Sequence, residues 1–164
     1  MAGRRVVVIG LGNPDRGDDG LGPYVAERLA GRLSAGASLK MRTGDGLGLL
    51  DDWQGFEVAI IIDAAAPVGA PGRIHRIELE TSGELPVVSQ TSSHGFGFDE
   101  AFALASSMNM LPGRVIVYAV EGNSFDHGTG LTAAVAASAE EVAVRVVEEV
   151  AGLLAGDGPG PIST

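Results

Sequence analysis

The sequence contains no cysteine among its 164 residues. This absence excludes disulfide bonds, zinc sites built from thiolates and catalysis by a cysteine nucleophile. Basic residues are also few, because 11 Lys and Arg stand against 21 Asp and Glu, a formal net charge of −10. Since an acidic surface repels phosphate backbones, the composition predicts that nucleic acid is not a partner.

Long apolar runs are missing as well. No run approaches the ~18 residues typical of a membrane-spanning helix, and the apolar start at Val6–Ile9 is too short for the core of a signal peptide. We therefore predict a cytoplasmic protein that contacts no membrane. The length and the 45% of hydrophobic residues fit one domain, which we place at residues 1–155. The Gly- and Pro-rich residues 156–164 are predicted to form a flexible tail.

Short apolar runs alternate with stretches of helical periodicity. Strands are predicted over residues 6–9, 39–43, 58–62, 73–79 and 114–120, with 73–79 as an edge strand. Helices are predicted from Pro23, where apolar residues recur every four positions, and over 47–53, 99–108 and 133–154. Such alternation indicates βαβ units with right-handed crossovers. The expected fold is α/β: a three-layer α/β/α domain with a mostly parallel, twisted sheet of about five strands and helices on both faces.

Polar residues gather where the predicted strands end. Open α/β sheets bind their ligands at the carboxyl ends of the strands, so these residues are the candidates for a functional site. In chain order they are Asn13, Asp15, Asp18, Asp19, Asp45, Asp63, the loop 90–94 with His94, and Glu121. We expect carboxylates and one histidine to converge at this edge from distant parts of the chain.

The glycine-rich loop after the first strand does not match a nucleotide-binding motif. The dinucleotide fingerprint requires a third glycine where this chain has Asp15. A phosphate-binding loop would fit the spacing of Gly12 and Gly17, but Asp18 and Asp19 follow where it needs Lys and then Ser or Thr. Two carboxylates would repel a phosphate. Ahead of a helix N-terminus they are instead favoured as anions by ~0.3–1 kcal/mol, which suits a cation.

Asp63 and the histidines each allow a structural and a functional interpretation. Asp63 follows four buried apolar residues, where an unpaired carboxylate is costly, so it is either a strand-ending cap or a metal ligand or catalytic acid. A lone loop histidine such as His94 is more often structural than functional, but beside two carboxylates it suits a borderline divalent ion. His75 is expected to be exposed, and His127 is a secondary candidate. Asp51 and Asp52 are expected on a solvated helix end.

Five segments resemble the nickel-iron hydrogenase maturation endopeptidases. The opening motif is GLGNPDRGDDGLG at residues 10–22. The later matches, in the family's order, are TGDGLGLL at 43–50, IIIDA at 60–64, TSSHG at 91–95, and VEG at 120–122 with GLT at 130–132. The resemblance covers nearly the whole chain, and its specificity lies in the order of the five motifs.

The resemblance implies an activity and a site. The family removes a short C-terminal extension from the hydrogenase large-subunit precursor once nickel is installed. It implies Asp19, Asp63 and His94 as the nickel-contacting and catalytic residues of an endopeptidase, here classed as aspartic-type, with nickel supplied by the substrate rather than permanently bound. Asp19 stands where many relatives have glutamate, and Gly122 where proline is usual. Asp18 is the alternative to Asp19 as first ligand.

Two other functions are weighed against the endopeptidase. IGLGNP at residues 9–14 also resembles the start of peptidyl-tRNA hydrolases, but their catalytic histidine segment is absent, and no histidine precedes His75. A non-catalytic nickel-binding protein or a chaperone for hydrogenase assembly would use the same three ligands as the protease. Three ligands without cysteine or a histidine cluster make poor metal storage, which ranks this hypothesis below the protease.

Overall fold

The computed structural model describes residues 4–43, 46–79 and 98–156. The elements are β1 (Val6–Leu11), α1 (Leu21–Leu29), β2 (Ala37–Arg42), α2 (Leu49–Asp52), β3 (Val58–Ala65), β4 (Ile74–Leu79), α3 (Phe98–Ser107), β5 (Arg114–Glu121) and α4 (Ala133–Leu154). Short 3₁₀ turns, Gly17–Gly20 and Gly46–Gly48, precede α1 and α2. Every predicted strand and helix is present. No helix in these ranges is long and apolar enough to cross a membrane.

The five strands form one sheet in the order β2-β1-β3-β5-β4. The strands β2, β1, β3 and β5 run parallel to one another, and β4 pairs antiparallel with β5 at the edge. All six residues of β1 are buried, as the continuous apolar run of a parallel strand covered on both faces predicts. The α/β fold with a mostly parallel sheet is therefore confirmed, and so is the edge position of residues 74–79.

Helices cover both faces of the sheet. Val6 and Val8 face the core formed with α1 and α4, whereas Val7 and Ile9 face the second core, which includes residues of α2 and α3. Successive side chains of a strand point to opposite faces, so one short strand supplies both cores. This confirms the predicted three layers.

Two glycines let α1 pack unusually close to the sheet. A Cβ added to Gly22 would lie 2.3 Å from the carbonyl oxygen of Leu11 and 2.6 Å from that of Ile62. A Cβ on Gly10 would lie 2.3 Å from the Gly22 carbonyl oxygen. Only glycine allows two backbones to approach so closely. The contact presses the start of α1, and the Gly17–Gly20 turn before it, against the carboxyl ends of β1 and β3.

Two local predictions are wrong. Asp63 was expected to end its strand, but β3 continues to Ala65, because β5 extends equally far and pairs with it up to Glu121. Asp52 was expected on a solvated helix end. It is only 9% exposed, and its two carboxylate oxygens accept hydrogen bonds from Arg42, each at 2.8 Å. Its neighbour Asp51 is exposed, as predicted.

A polar cluster fastens the edge strand β4 to α4. Arg76 Nε donates to Glu149 Oε1 at 3.0 Å, and the Tyr118 hydroxyl of β5 donates to the same carboxylate. Burial opposes ionisation of Glu149, but the hydrogen bonds from Arg76 and Tyr118 outweigh it and hold the pKa of Glu149 below its usual value. On the same face of β4, two residues further on, Glu78 Oε2 accepts a hydrogen bond from Arg114 Nε of β5 at 2.8 Å.

Candidate functional site

Asp63 is a buried carboxylate within β3. Its side chain lies near the carboxyl end of the central strand, and the residue is 2% exposed. The Oδ1 atom accepts a hydrogen bond from the N–H of Ala64 at 2.8 Å. The Oδ2 atom is also buried but accepts no hydrogen bond from any residue in the described ranges. A native fold rarely leaves such an oxygen unsatisfied, so its partner is a ligand or a group outside the described ranges.

The surroundings of Asp63 disfavour its ionised form. Burial raises the pKa of Asp63 well above the ordinary value, the negative charge of Asp19 raises it further, and that of Asp99 adds to the effect. The hydrogen bond from Ala64 opposes the shift but does not cancel it. A carboxylate held in this way gains stability from a proton or from a cation brought beside it.

Asp19 is the second acid of the site. It lies in the 3₁₀ turn that leads into α1, is half-buried, and accepts a hydrogen bond on Oδ2 from the N–H of Asn13 at 3.0 Å. Its charge raises the pKa of Asp63, so the two carboxylates, 44 positions apart in sequence, lie near enough at the ends of β1 and β3 to interact. The structure thus brings together two of the three predicted site residues.

Asp18, the other acid of the turn, is directed elsewhere. It is fully buried, and both of its oxygens accept hydrogen bonds from the loop between β5 and α4. Asp15 is exposed, and its N–H donates to the Asn13 side chain at 2.9 Å. Of the acids predicted after β1, Asp19 alone shifts the pKa of Asp63.

Asp99 was missed as a site residue by the sequence analysis. It lies in the first turn of α3, is half-buried, and contributes negative charge at Asp63. In the sequence it marked only the start of a predicted helix. The signal that would have found it is its place five positions after His94, at the end of the loop that the sequence directs to the same sheet edge.

Glu121 has a structural task. It is fully buried at the end of β5, and its Oε2 accepts hydrogen bonds from the N–H groups of Val68 at 2.9 Å and Ala70 at 2.5 Å. Burial raises its pKa, but the hydrogen bonds from Ala70, Val68 and Gly69 outweigh burial and leave the pKa lowered. Glu121 therefore stays ionised and holds the loop that follows Asp63, with the Val68 side chain 76% exposed on it.

His94 and Asp45 lie outside the residues that the structure describes, so their predicted places at the site stay predictions. His75 is exposed on β4, as expected. His127 is exposed in the loop before α4. Within residues 4–43, 46–79 and 98–156, no three acidic or histidine side chains form a group that would hold a metal ion. Asp19 and Asp63 supply two oxygen donors, and a third protein ligand would have to come from outside those ranges.

An acidic pair at the carboxyl edge of an α/β sheet, with one member buried and its pKa raised, is typical of a catalytic or metal-contacting site. The model of the hydrogenase maturation protease family, HycI, matches residues 23–149. The chain therefore belongs to the hydrogenase maturation protease family. Asp63 and His94 lie inside the matched range, and Asp19 precedes it.

Individual relatives support this family assignment. The hydrogenase expression/formation protein HupD of Rhodobacter capsulatus is 28% identical over 149 residues, 89% of this chain and 71% of that protein. A hydrogenase 2 maturation peptidase from a Thaumarchaeota archaeon is 27% identical, with a TM-score of 0.68 over 90% of this chain and 98% of that one. The hydrogenase maturating endopeptidase HybD from E. coli has the same fold, with a TM-score of 0.71 at 22% identity over 90% and 92% of the two chains.

Family membership confirms the predicted enzyme class. The chain is an endopeptidase of hydrogenase maturation, a hydrolase of peptide bonds. The peptidyl-tRNA hydrolase and the non-catalytic nickel protein are thereby disfavoured. The three-layer α/β fold found in the solved maturation proteases is the one predicted here from the alternation of strands and helices.

Proposed function

We propose that this endopeptidase removes the C-terminal extension of a nickel-iron hydrogenase large-subunit precursor after nickel has been inserted. Asp19, Asp63 and His94 contact the nickel that the precursor carries, so that nickel arrives as part of the substrate. The reaction takes place in the cytoplasm, where the sequence predicts the protein to act.

The observation that carries this proposal is the state of Asp63. The charged side chains that raise its pKa are Asp19 and Asp99, and both are negative. The Oδ2 atom of Asp63 accepts no hydrogen bond from any described residue. A divalent cation brought by the substrate would compensate all three. Carboxylate oxygens with one imidazole suit a borderline ion such as nickel with coordination positions left open.

The chemistry follows from where nickel would be held. A cation between the carboxylates of Asp19 and Asp63 places the adjoining peptide bond of the precursor at the edge of the sheet. Nickel there acts as a Lewis acid, on the scissile carbonyl or on a water molecule. A precursor without nickel would bring no cation to the two acids, so the site would favour a loaded substrate over an unloaded one.

The test compares nickel-loaded with nickel-free precursor, followed by the mass of the large subunit. We expect trimming of the loaded form only. Asp19→Asn, Asp63→Asn and His94→Ala should each abolish trimming, while Asp51→Asn, the same chemical change at an exposed position, should leave it intact. Equal trimming of both precursors refutes the dependence on nickel. Normal trimming by Asp63→Asn refutes the site, and binding without a change of mass supports a chaperone instead.

A further inference from the structure

The two neighbouring acids of the Gly17–Gly20 turn have different partners. Asp19 accepts a hydrogen bond from the N–H of Asn13, and its charge acts on Asp63. Asp18 is fully buried and is turned toward the loop between β5 and α4, more than a hundred positions away in sequence. A tight turn displays successive side chains in different directions, so adjacent carboxylates can serve different purposes.

The carboxylate of Asp18 is saturated with hydrogen bonds. Oδ2 accepts from the N–H groups of Asn123 at 2.7 Å and Ser124 at 3.0 Å. Oδ1 accepts from the N–H of Thr132 at 2.7 Å, and the Thr132 hydroxyl lies 3.1 Å from Oδ1 and 2.9 Å from Oδ2. Charge-assisted bonds to a buried carboxylate are among the strongest in proteins, and this one ties together both ends of residues 123–132.

Backbone hydrogen bonds strengthen the same junction. The N–H of Asp18 donates to the Ser124 carbonyl at 2.8 Å, and the N–H of Gly17 donates to the Thr129 carbonyl at 3.1 Å. In the other direction, the N–H of Gly128 donates to the Asp15 carbonyl at 2.9 Å. The 3₁₀ turn has no side-chain cap of its own. Its placement therefore depends on this junction on one side and on the close packing of α1 on the other.

We propose that Asp18 is a positioning residue: it fastens the Gly17–Gly20 turn to the loop between β5 and α4 and thereby holds Asp19 opposite Asp63. The inference rests on the proposed function, since it concerns the geometry of the acidic pair that receives the substrate. Asp18 does not itself touch substrate. Displacement of a reacting group by about 1 Å can cost a hundredfold in rate, so a turn held less firmly lowers turnover more than binding.

Asp18→Asn is the first test, because asparagine keeps the shape but has one terminus that cannot accept. Whichever way the amide is turned, its NH₂ faces backbone N–H donors, those of Asn123 and Ser124 or that of Thr132. We expect kcat on nickel-loaded precursor to fall about tenfold to a hundredfold with little change in KM. Amide hydrogen exchange should quicken in both residues 13–20 and residues 122–132.

The matched control is Val150→Ala, a core substitution near the far end of α4, assayed at a temperature where both variants are folded. It should lower the melting temperature yet leave kcat and the exchange of residues 13–20 unchanged. If Asp18→Asn shows no larger loss of kcat than this control, Asp18 serves stability alone and the inference is wrong. It is equally wrong if exchange quickens in residues 122–132 but not in 13–20.

Thr132→Val decides the matter should Asp18→Asn fail to fold. Valine has the shape of threonine and lacks its hydroxyl. The substitution therefore removes the hydroxyl contact and keeps the hydrogen bond from the backbone N–H to Asp18. We expect a severalfold loss of kcat at unchanged KM, and unchanged kcat would overturn the inference. Asp19→Asn and Asp63→Asn separate this outcome from the proposed function. If both of these are inactive while Thr132→Val is unaffected, only the role of Asp18 fails. If both are active, the proposed site itself fails.

Discussion

Replacing Asp63 by asparagine tests whether this carboxylate costs the protein stability when no substrate is present. Asparagine keeps the shape of the side chain. Its oxygen can still accept the hydrogen bond from the N–H of Ala64, which is 2.8 Å long to Oδ1 of Asp63. The substitution removes a negative charge that is buried and lies near Asp19 and Asp99. Functional residues of this kind are often held at the expense of stability. We therefore expect Asp63→Asn to be inactive but more stable than the natural protein.

The pH dependence follows from the raised pKa of Asp63, caused first by burial and then by Asp19. In the unfolded chain an aspartate titrates near pH ~4. Between that value and the folded pKa, the folded protein binds one proton more than the unfolded chain. The free energy of unfolding therefore falls as pH rises, by at most about 1.4 kcal/mol per pH unit. The favourable contribution of protonated Asp63 is complete below pH ~4 and is lost once pH passes the folded pKa.

Asp63→Asn does not lose stability in this way, so its free energy of unfolding exceeds that of the natural protein by an amount that grows with pH. Above the folded pKa we expect the stability advantage of the variant to be about 1–3 kcal/mol, because asparagine removes the buried charge although its amide is still a buried polar group. For a chain of this length, each kcal/mol corresponds to roughly 2–4 °C in melting temperature. Urea denaturation followed by circular dichroism, at several pH values between about 5 and 9, measures the difference directly.

Asp51→Asn is the control, since the same change at an exposed position should give a small difference that does not vary with pH. The reasoning is refuted if the natural protein gains on Asp63→Asn as pH rises. That result would mean that a cation already pairs with Asp63 in the folded protein, so that its pKa is lowered rather than raised.

Three further predictions concern the supports of the site. Gly22→Ala should cost about 3 kcal/mol or prevent folding, because its Cβ would enter the backbone of β1; full stability in urea denaturation would contradict the close approach. Glu121 has a lowered pKa because backbone hydrogen bonds from residues 68–70 outweigh burial. Its stabilising contribution is therefore present above its ordinary pKa of ~4.3 and lost as pH falls through the folded value. Glu121→Gln should make the free energy of unfolding less dependent on pH in that range, and an unchanged pH dependence would count against the assignment. A double-mutant cycle with Arg76→Met and Glu149→Gln should give a coupling of about 1 kcal/mol, limited by the 37% exposure of the Arg76 side chain; a coupling of zero would show that this pair does not hold β4.

Much of the fold could be predicted from the sequence because local patterns carry it. The run of β-branched residues at Val6–Ile9 suits only a strand buried on both faces. The four-residue apolar period from Ala133 to Leu154 gives the bounds of α4 found in the structure. Strand ends were less certain, since β3 extends to Ala65 through its pairing with β5. That extension depends on a neighbour and not on the residues of β3 themselves.

The site was predictable only in part. Parallel strands end at a common edge, which placed Asp19 and Asp63 among several candidate acids, and the family resemblance singled them out. Asp99 was missed, because a helix-starting acid looks the same whether or not it lies near another carboxylate, and only its place five positions after His94 links it to this edge. Asp52 was misjudged for a similar reason. Its burial depends on Arg42 at the end of β2, a contact that no local sequence pattern predicts.

The sequence by itself determined the α/β class, the order of elements and the edge of the sheet where acids gather. The periodicity of apolar residues and the position of glycines are local properties, and they leave few alternatives. Only the tertiary structure showed that Asp18 and Asp19 have different partners. Neighbours in a 3₁₀ turn point in different directions. Asp19 therefore lies near Asp63, whereas Asp18 binds the backbone of residues 123–132.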